Sequence, residues 1–164
     1  MTPIAPTAIA LTGDRQITLT RRFAAPPALL LRAHLEPDLI RRWMVGPDGW
    51  TMPLCQSDSR PGGSFRFDWW DGKDTRFHAT GEYIEITPRR IVHVERMFLP
   101  GPSAGIPTPD NHVDTRFAPD GTGTLLTVTM TLATPEDRAA VLASGMTEGM
   151  EDSYARLETI LTEV

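Results

Sequence analysis

The cleanest alternation in the chain runs from Thr122 to Leu132, where Leu126, Val128, Met130 and Leu132 share one face and Leu125, Thr127, Thr129 and Thr131 the other. A period of two marks a strand buried on one side only. The same period places Ile17, Leu19 and Phe23 against Gln16, Thr18, Thr20 and Arg22, and Phe65, Phe67 and Trp69 against Arg66, Asp68 and Trp70. Further strands are expected over Thr51–Ser57, Arg76–Thr87, Ile91–Phe98 and Val113–Phe117. Turns at Arg60-Pro61-Gly62-Gly63, Asp71-Gly72 and Pro119-Asp120-Gly121 separate them. Gly81, inside the longest of these strands, is expected to mark a bulge.

Helical periodicity appears in two places only. Pro26 and Pro27 end the first strand and open a short helix to Leu35; Pro37 interrupts it, and a second short helix runs from Asp38 to Trp43. The last thirty residues, Thr134 to Val164, read as one long amphipathic helix. At 100° per residue, Ala139, Leu142, Met146, Gly149, Met150, Ser153, Leu157, Ile160, Leu161 and Val164 fall on one face. Asp137, Glu148, Glu151, Asp152, Glu158 and Glu163 fall away from it. Thr134 is placed to cap this helix, with Pro135 at its first position and Glu136 and Asp137 in its first turn. Gly145 and Gly149 each cost about 1 kcal/mol relative to alanine in a helix interior, a cost that a close backbone approach or a hollow beneath them offsets.

The order is therefore strand, two short helices, about six strands and one long helix. Residues 1–14 carry no period and are expected to be a flexible N-terminal tail, leaving 15–164 as one domain. The physical solution is an α+β architecture: a curved antiparallel sheet of six or seven strands wrapped around the C-terminal helix, with the helical pair plugging one end. A curved sheet and one helix leave space between them, so a cavity is expected. The segment Leu99 to His112, with four prolines and two glycines, has the length of a lid or an entrance rim.

Charge and composition narrow the function. A net charge of -5 lacks the basic footprint that nucleic-acid binding needs. No apolar run is long enough for a transmembrane helix, the N-terminus has no secretory pattern, and a single cysteine, Cys55, forms no internal disulfide. These features point to the cytoplasm without membrane insertion.

One set of motifs recurs in order along the chain: Ile17-Thr-Leu-Thr-Arg-Arg-Phe-Ala-Ala-Pro-Pro27, Arg32-Ala33, Glu36-Pro37, Trp43, Asp58-Ser-Arg-Pro-Gly-Gly63, Gly81-Glu-Tyr-Ile-Glu-Ile86, Arg90-Ile91-Val92, Gly123-Thr124 and Glu148-Gly149-Met150. In these the chain resembles the bacterial stand-alone relatives of the activator of the heat-shock chaperone ATPase, within the START-like helix-grip (SRPBCC) superfamily. The resemblance implies a helix-grip fold with a hydrophobic pocket, in a group that contains binders, transfer proteins, cyclases, hydrolases and a co-chaperone module. Met44 and Met150 stand where relatives often carry a tryptophan and a bulky aromatic.

Candidate chemistry lies in polar residues set among apolar ones. His93 and Glu95 share a strand face with Ile91 and Met97, and His78, Thr80 and Glu82 share one with Ile84. An inward face would place an imidazole and a carboxylate in an apolar space, so His93 and Glu95 are the acid–base candidates. Trp43, Phe65, Phe67, Trp69, Met146, Gly149 and Met150 are expected to line the space beneath the last helix, with His78, His93, Glu95 or Arg96 orienting a guest. Ordinary core packing is the competing reading of the same side chains. No nucleophile motif, metal motif or phosphate loop is present, and no metal or cofactor is expected. The leading reading is a protein that binds a small hydrophobic or aromatic molecule. The alternatives are a cyclase- or hydrolase-type enzyme using His93 and Glu95, and a chaperone-associated module docking through the acidic face of the last helix. Trp69 and Trp70 are adjacent, so one faces outward, which suggests a homodimer.

Overall fold

The computed structural model describes residues 5–164. Eight antiparallel strands form one sheet in the order β1-β2-β8-β7-β6-β5-β4-β3. They are β1 (Ala8–Thr12), β2 (Gln16–Phe23), β3 (Thr51–Ser57), β4 (Ser64–Trp70), β5 (Arg76–Thr87), β6 (Arg90–Phe98), β7 (Asn111–Asp120) and β8 (Gly123–Thr131). Helices α1 (Pro27–Leu35) and α2 (Pro37–Trp43) follow β2, and α3 (Pro135–Ala143) and α4 (Met146–Leu161) end the chain. The register puts Ile17 opposite Met130 and Leu19 opposite Val128. The alternation that marked these strands therefore becomes one continuous buried face, completed by Val113, Phe117, Phe65, Phe67 and Trp69.

Three expectations are corrected. The sheet has one strand more than six or seven, because part of the segment expected as a flexible tail pairs with β2 as the edge strand β1, from Ala8↔Thr20 to Thr12↔Gln16. All five β1 residues are exposed, so no one-sided burial pattern marks it in the sequence. Residues 1–4 of that expected tail lie outside the described residues. The bulge lies not at Gly81 but between Tyr83 and Glu85, leaving Ile84 as the extra, outward residue. Gly81 serves a different purpose: a Cβ there would lie 2.3 Å from both Phe65 Cζ and the Val94 carbonyl oxygen. The missing side chain is what lets the Phe65 ring approach the β5 backbone this closely.

The third correction concerns the C-terminal segment, which is two helices rather than one. Thr134 caps α3 as its sequence implies, accepting from the Asp137 N–H at 3.0 Å. The helix then stops at Ser144, and Gly145 takes φ 82° before α4 begins. That left-handed conformation suits glycine and separates the two helices. No residue of α3 is fully buried, and Ala139, expected inward, is exposed. The element gripped by the sheet is α4 alone.

Polar clamps hold α4 in place. Arg156 donates to the carbonyls of Trp43 and Gly46 at 3.0 and 2.9 Å, tying α4 to the end of α2. On the other side Arg21, only 6% exposed, pairs with Glu151 and Glu158 at 3.3 Å each. Glu158 also accepts from the Ala24 N–H at 3.0 Å. Partial burial pushes the Glu151 carboxyl up, but hydrogen bonds from Thr7 and Arg21 outweigh it and hold the group below its usual range. Two residues of the acidic face are thus internal partners rather than a free surface, and a third, Glu163, pairs with Arg42.

Gly149 sits on the exposed side of α4 with nothing within 4 Å of the place its Cβ would occupy. The expectation that it admits the sheet or roofs the cavity is therefore overturned, and its cost in helix propensity is uncompensated. Gly149→Ala is expected to raise stability by about 1 kcal/mol, an increase of about 2–4 °C in Tm. Differential scanning calorimetry checks this. A lower Tm would mean that position 149 packs against something the fold does not show.

Candidate functional site

Between the concave face of the sheet and helices α1, α2 and α4 lies a cavity of about 180 Å³. Aromatic side chains supply much of its lining: Trp43 from α2, Phe65, Phe67 and Trp69 from β4, and Tyr83 from β5. They are there because β4 alternates, sending Phe65, Phe67 and Trp69 inward and Arg66, Asp68 and Trp70 outward. The rings brace one another. Phe65 stacks on Phe67 at 5.0 Å, and Phe67 meets Trp69 edge-on at 6.0 Å. Their polar atoms are satisfied locally: Trp43 Nε1 donates to the Ala33 carbonyl at 2.9 Å, Trp69 Nε1 to the Met44 carbonyl at 2.8 Å, and the Tyr83 hydroxyl meets Ser57 Oγ at 2.7 Å. Met44, Met130 and Met150 complete the lining with adaptable thioethers.

Of the residues the sequence nominates, Trp43, Phe65, Phe67, Trp69, His93, Glu95 and Met150 surround this cavity. Met146 packs against the core without lining the cavity, and Gly149 is on the far side of its helix. His78 lies on the opposite face of the sheet. It stacks on Phe98 at 4.4 Å and shares an outer groove with Arg66, Asp68 and Arg76. Arg96 is also outside, paired with Glu82 and Asp110 at 3.1 and 2.8 Å. Neither orients a guest in the cavity. The segment expected as a lid, Leu99 to His112, borders that outer groove through Leu99, Pro100, Ala104 and Gly105. None of its residues lines the cavity.

His93 and Glu95 do face inward, with His93 Nε2 3.7 Å from Glu95 Oε1. At that separation they form an ion pair when the imidazole is protonated, not a short hydrogen bond. Asn111, opposite Glu95 on β7, donates to the same carboxylate at 3.5 Å, and its Oδ1 is buried without a partner.

Two further polar residues escape sequence reasoning. His34, on α1, lines the cavity between Trp43 and Phe117, with ring centroids 4.9 and 5.1 Å away. Its Nδ1 lies 2.7 Å from the Leu30 carbonyl oxygen. A carbonyl only accepts, so Nδ1 carries the proton and Nε2 is left with a free lone pair. Burial lowers the His34 pKa to about 4; the Leu30 carbonyl opposes that shift, and the charge of His93 adds to it. His34 is therefore neutral at physiological pH. Tyr154, on α4 and 2% exposed, stacks on Trp43 at 6.0 Å and meets Phe23 edge-on at 5.7 Å. Burial raises its pKa, keeping the phenol protonated. The signal for Tyr154 was present, since 150, 154, 157 and 161 follow the helical repeat. His34 gives no such sign, because a histidine beside three leucines reads equally as a helix surface residue.

The family model for Activator of Hsp90 ATPase homolog 1-like protein matches residues 24–162. The chain belongs to that family. Solved structures agree with the Activator of Hsp90 ATPase homolog 1-like assignment and extend it to the helix-grip fold. A Rhodobacter sphaeroides protein is 28% identical with a TM-score of 0.87, covering 98% of this chain and 100% of its own. A Nitrosomonas europaea protein is 26% identical with a TM-score of 0.78, covering 93% and 97%. A Mycobacterium smegmatis protein shares the fold at 20% identity, with a TM-score of 0.82 and 99% coverage of both chains. No protein of curated function matches. Among the described residues no helix is long and apolar enough to cross a membrane, and no group of three or more His, Cys, Asp or Glu is arranged to hold a metal ion. Within this Activator of Hsp90 ATPase homolog 1-like chain, Trp70 is not a bare surface ring. Its Nε1 donates to the Lys73 carbonyl at 3.0 Å, and the Arg76 guanidinium lies 4.7 Å above it.

Proposed function

We propose that this protein binds a small aromatic or hydrophobic molecule in the cavity between the sheet and α4. The observation that carries the reading is the lining itself: about 180 Å³ bounded by six aromatic side chains and three methionines, with a few polar groups at defined positions. A dry apolar cavity of about 150 Å³ is large enough for benzene, so this one has room for a substituted single ring. Trp43 and Trp69 are built-in reporters. Titration with single-ring aromatics is expected to change tryptophan fluorescence saturably and to raise Tm. Two substitutions on α4 then locate the site. Ser153 lines the cavity and Gly149 does not, so Ser153→Phe is expected to weaken binding by at least about tenfold, the loss of about 1.4 kcal/mol, while Gly149→Leu leaves it unchanged. Full binding by Ser153→Phe would refute this placement.

A second reading, acid–base catalysis by His93 and Glu95, is favoured by one observation: both groups face the same apolar space, 3.7 Å apart. It requires that turnover of a cavity-bound substrate collapse in His93→Ala and Glu95→Gln, with binding retained. The reading fails if both variants turn over at the parent rate. Docking to a chaperone, as the family description invites, has less support here, because Glu151, Glu158 and Glu163 of the acidic face already serve Arg21 and Arg42.

A further inference from the structure

The cavity is apolar in bulk, but its polar groups have a consistent sense. No lysine or arginine lines it, and its one carboxyl group is that of Glu95. An anionic guest such as a carboxylate would give up its hydration to a largely apolar space in which the His93 imidazole already lies 3.7 Å from Glu95. His34 is fixed as an acceptor: its Nδ1 donates to the Leu30 carbonyl, which leaves the Nε2 lone pair on a ring that lines the cavity. That lone pair is held beside the Trp43 ring, which also stacks against Tyr154. An acceptor on the wall of an apolar cavity loses a hydrogen bond unless a guest or a water supplies the donor. A hydrocarbon guest would leave it empty-handed.

We propose that the cavity selects neutral phenols, with the ring among Trp43, Phe65 and Phe67 and the hydroxyl donating to His34 Nε2. This rests on the cavity reading above and adds the class of molecule and the residue that chooses it. His34 thus acts as a specificity-determining residue rather than a catalytic one.

The test compares four single-ring probes by tryptophan fluorescence titration at pH 7.5: 4-ethylphenol, ethylbenzene, 4-ethylbenzoate and phenyltrimethylammonium. The phenol is expected to bind at least about tenfold tighter than ethylbenzene, since it supplies the missing donor. The carboxylate is expected to bind weakest. In His34→Phe, which keeps a ring between Trp43 and Phe117, the preference for the phenol over ethylbenzene falls to about one, and the hydrocarbon still binds. Nitrogen-15 NMR of the unaltered protein gives an independent readout that does not depend on the folding of a variant: 4-ethylphenol should shift His34 Nε2 while Nδ1 stays protonated. Binding of ethylbenzene as tight as the phenol would overturn the phenol assignment and leave the cavity reading standing. So would tighter binding of the benzoate or the ammonium ion, a preference undiminished in His34→Phe, or an unmoved Nε2 resonance. Failure of all four probes to bind would overturn the cavity reading together with this one.

Discussion

Trp43→Ala is expected to lower the stability of the protein by about 3–5 kcal/mol, read from urea unfolding at pH 7.5. Trp43 is 2% exposed at the point where α2 ends, and three separate structures converge on it. Its indole nitrogen ties α2 back to the Ala33 carbonyl of α1, and its ring stacks on Tyr154 of α4 and against His34 of α1. Its own carbonyl receives Arg156 from α4. Truncation removes the indole and opens a void continuous with the cavity, so neighbouring side chains have little from which to collapse inward. Against a typical total of about 5–15 kcal/mol, that loss is a large fraction. Trp70→Ala provides the contrast. Trp70 is half-buried on the outer face, and its loss is expected to cost under about 1 kcal/mol. Equal costs at the two positions would contradict the assignment of inner and outer faces on β4.

Acidification is expected to remove about 3 kcal/mol of stability through His34 alone. Its pKa is about 4 in the folded state, against about 6.5 in the unfolded chain. The unfolded state therefore binds the proton first, and stability falls as pH drops below the unfolded value. The loss begins near pH 6.5, reaches about 2 kcal/mol at pH 5 and is complete once pH passes below the folded value near 4. The groups facing His34 reinforce this direction: the rings of Trp43 and Phe117 offer no counter-charge, and His93 adds a like charge when protonated. Carboxylates also contribute at the acidic end, since hydrogen bonds from their arginine partners hold Asp110 and Asp114 below their usual range despite the opposing effect of burial. His34→Phe separates the two. Between pH 7 and 5 the variant's urea midpoint should stay nearly level while that of the parent falls. Parallel decline in both proteins would show that His34 is not the group responsible.

The central strands and the two short helices were legible from alternation and proline placement, because each has one buried face and a sharp boundary. β1 was not, since all five of its residues are exposed and only backbone pairing with β2 holds it. The break at Ser144-Gly145 carried a signal, a glycine able to take a left-handed turn, but the 100° periodicity continues across it and outweighed that signal. Gly149 shows the converse error: a small residue on a helical wheel looked like a hollow, and it is simply exposed. At the site, strand alternation placed Phe65, Phe67 and Trp69 together, and His93 with Glu95 on one face of β6, whereas choosing between the His93 and His78 faces required knowing which side of β5 and β6 turns inward. Register decides it: Asp68 pairs with His78 on the outside, and Phe67 pairs with Ala79 on the inside. His34 depends on the angle at which α1 meets the sheet, and no pattern within the chain encodes that angle.

The most direct test of the central claim uses methionine methyl groups as position markers. Met44, Met130 and Met150 line the cavity, and Met52, Met97 and Met146 lie in the described fold but outside its lining. Carbon-13 methyl NMR during titration with 4-ethylphenol or ethylbenzene is predicted to shift the first three resonances strongly and the other three little. Unmoved Met44, Met130 and Met150 resonances at saturating probe, or larger shifts at Met97 and Met52, would contradict a binding site between the sheet and α4.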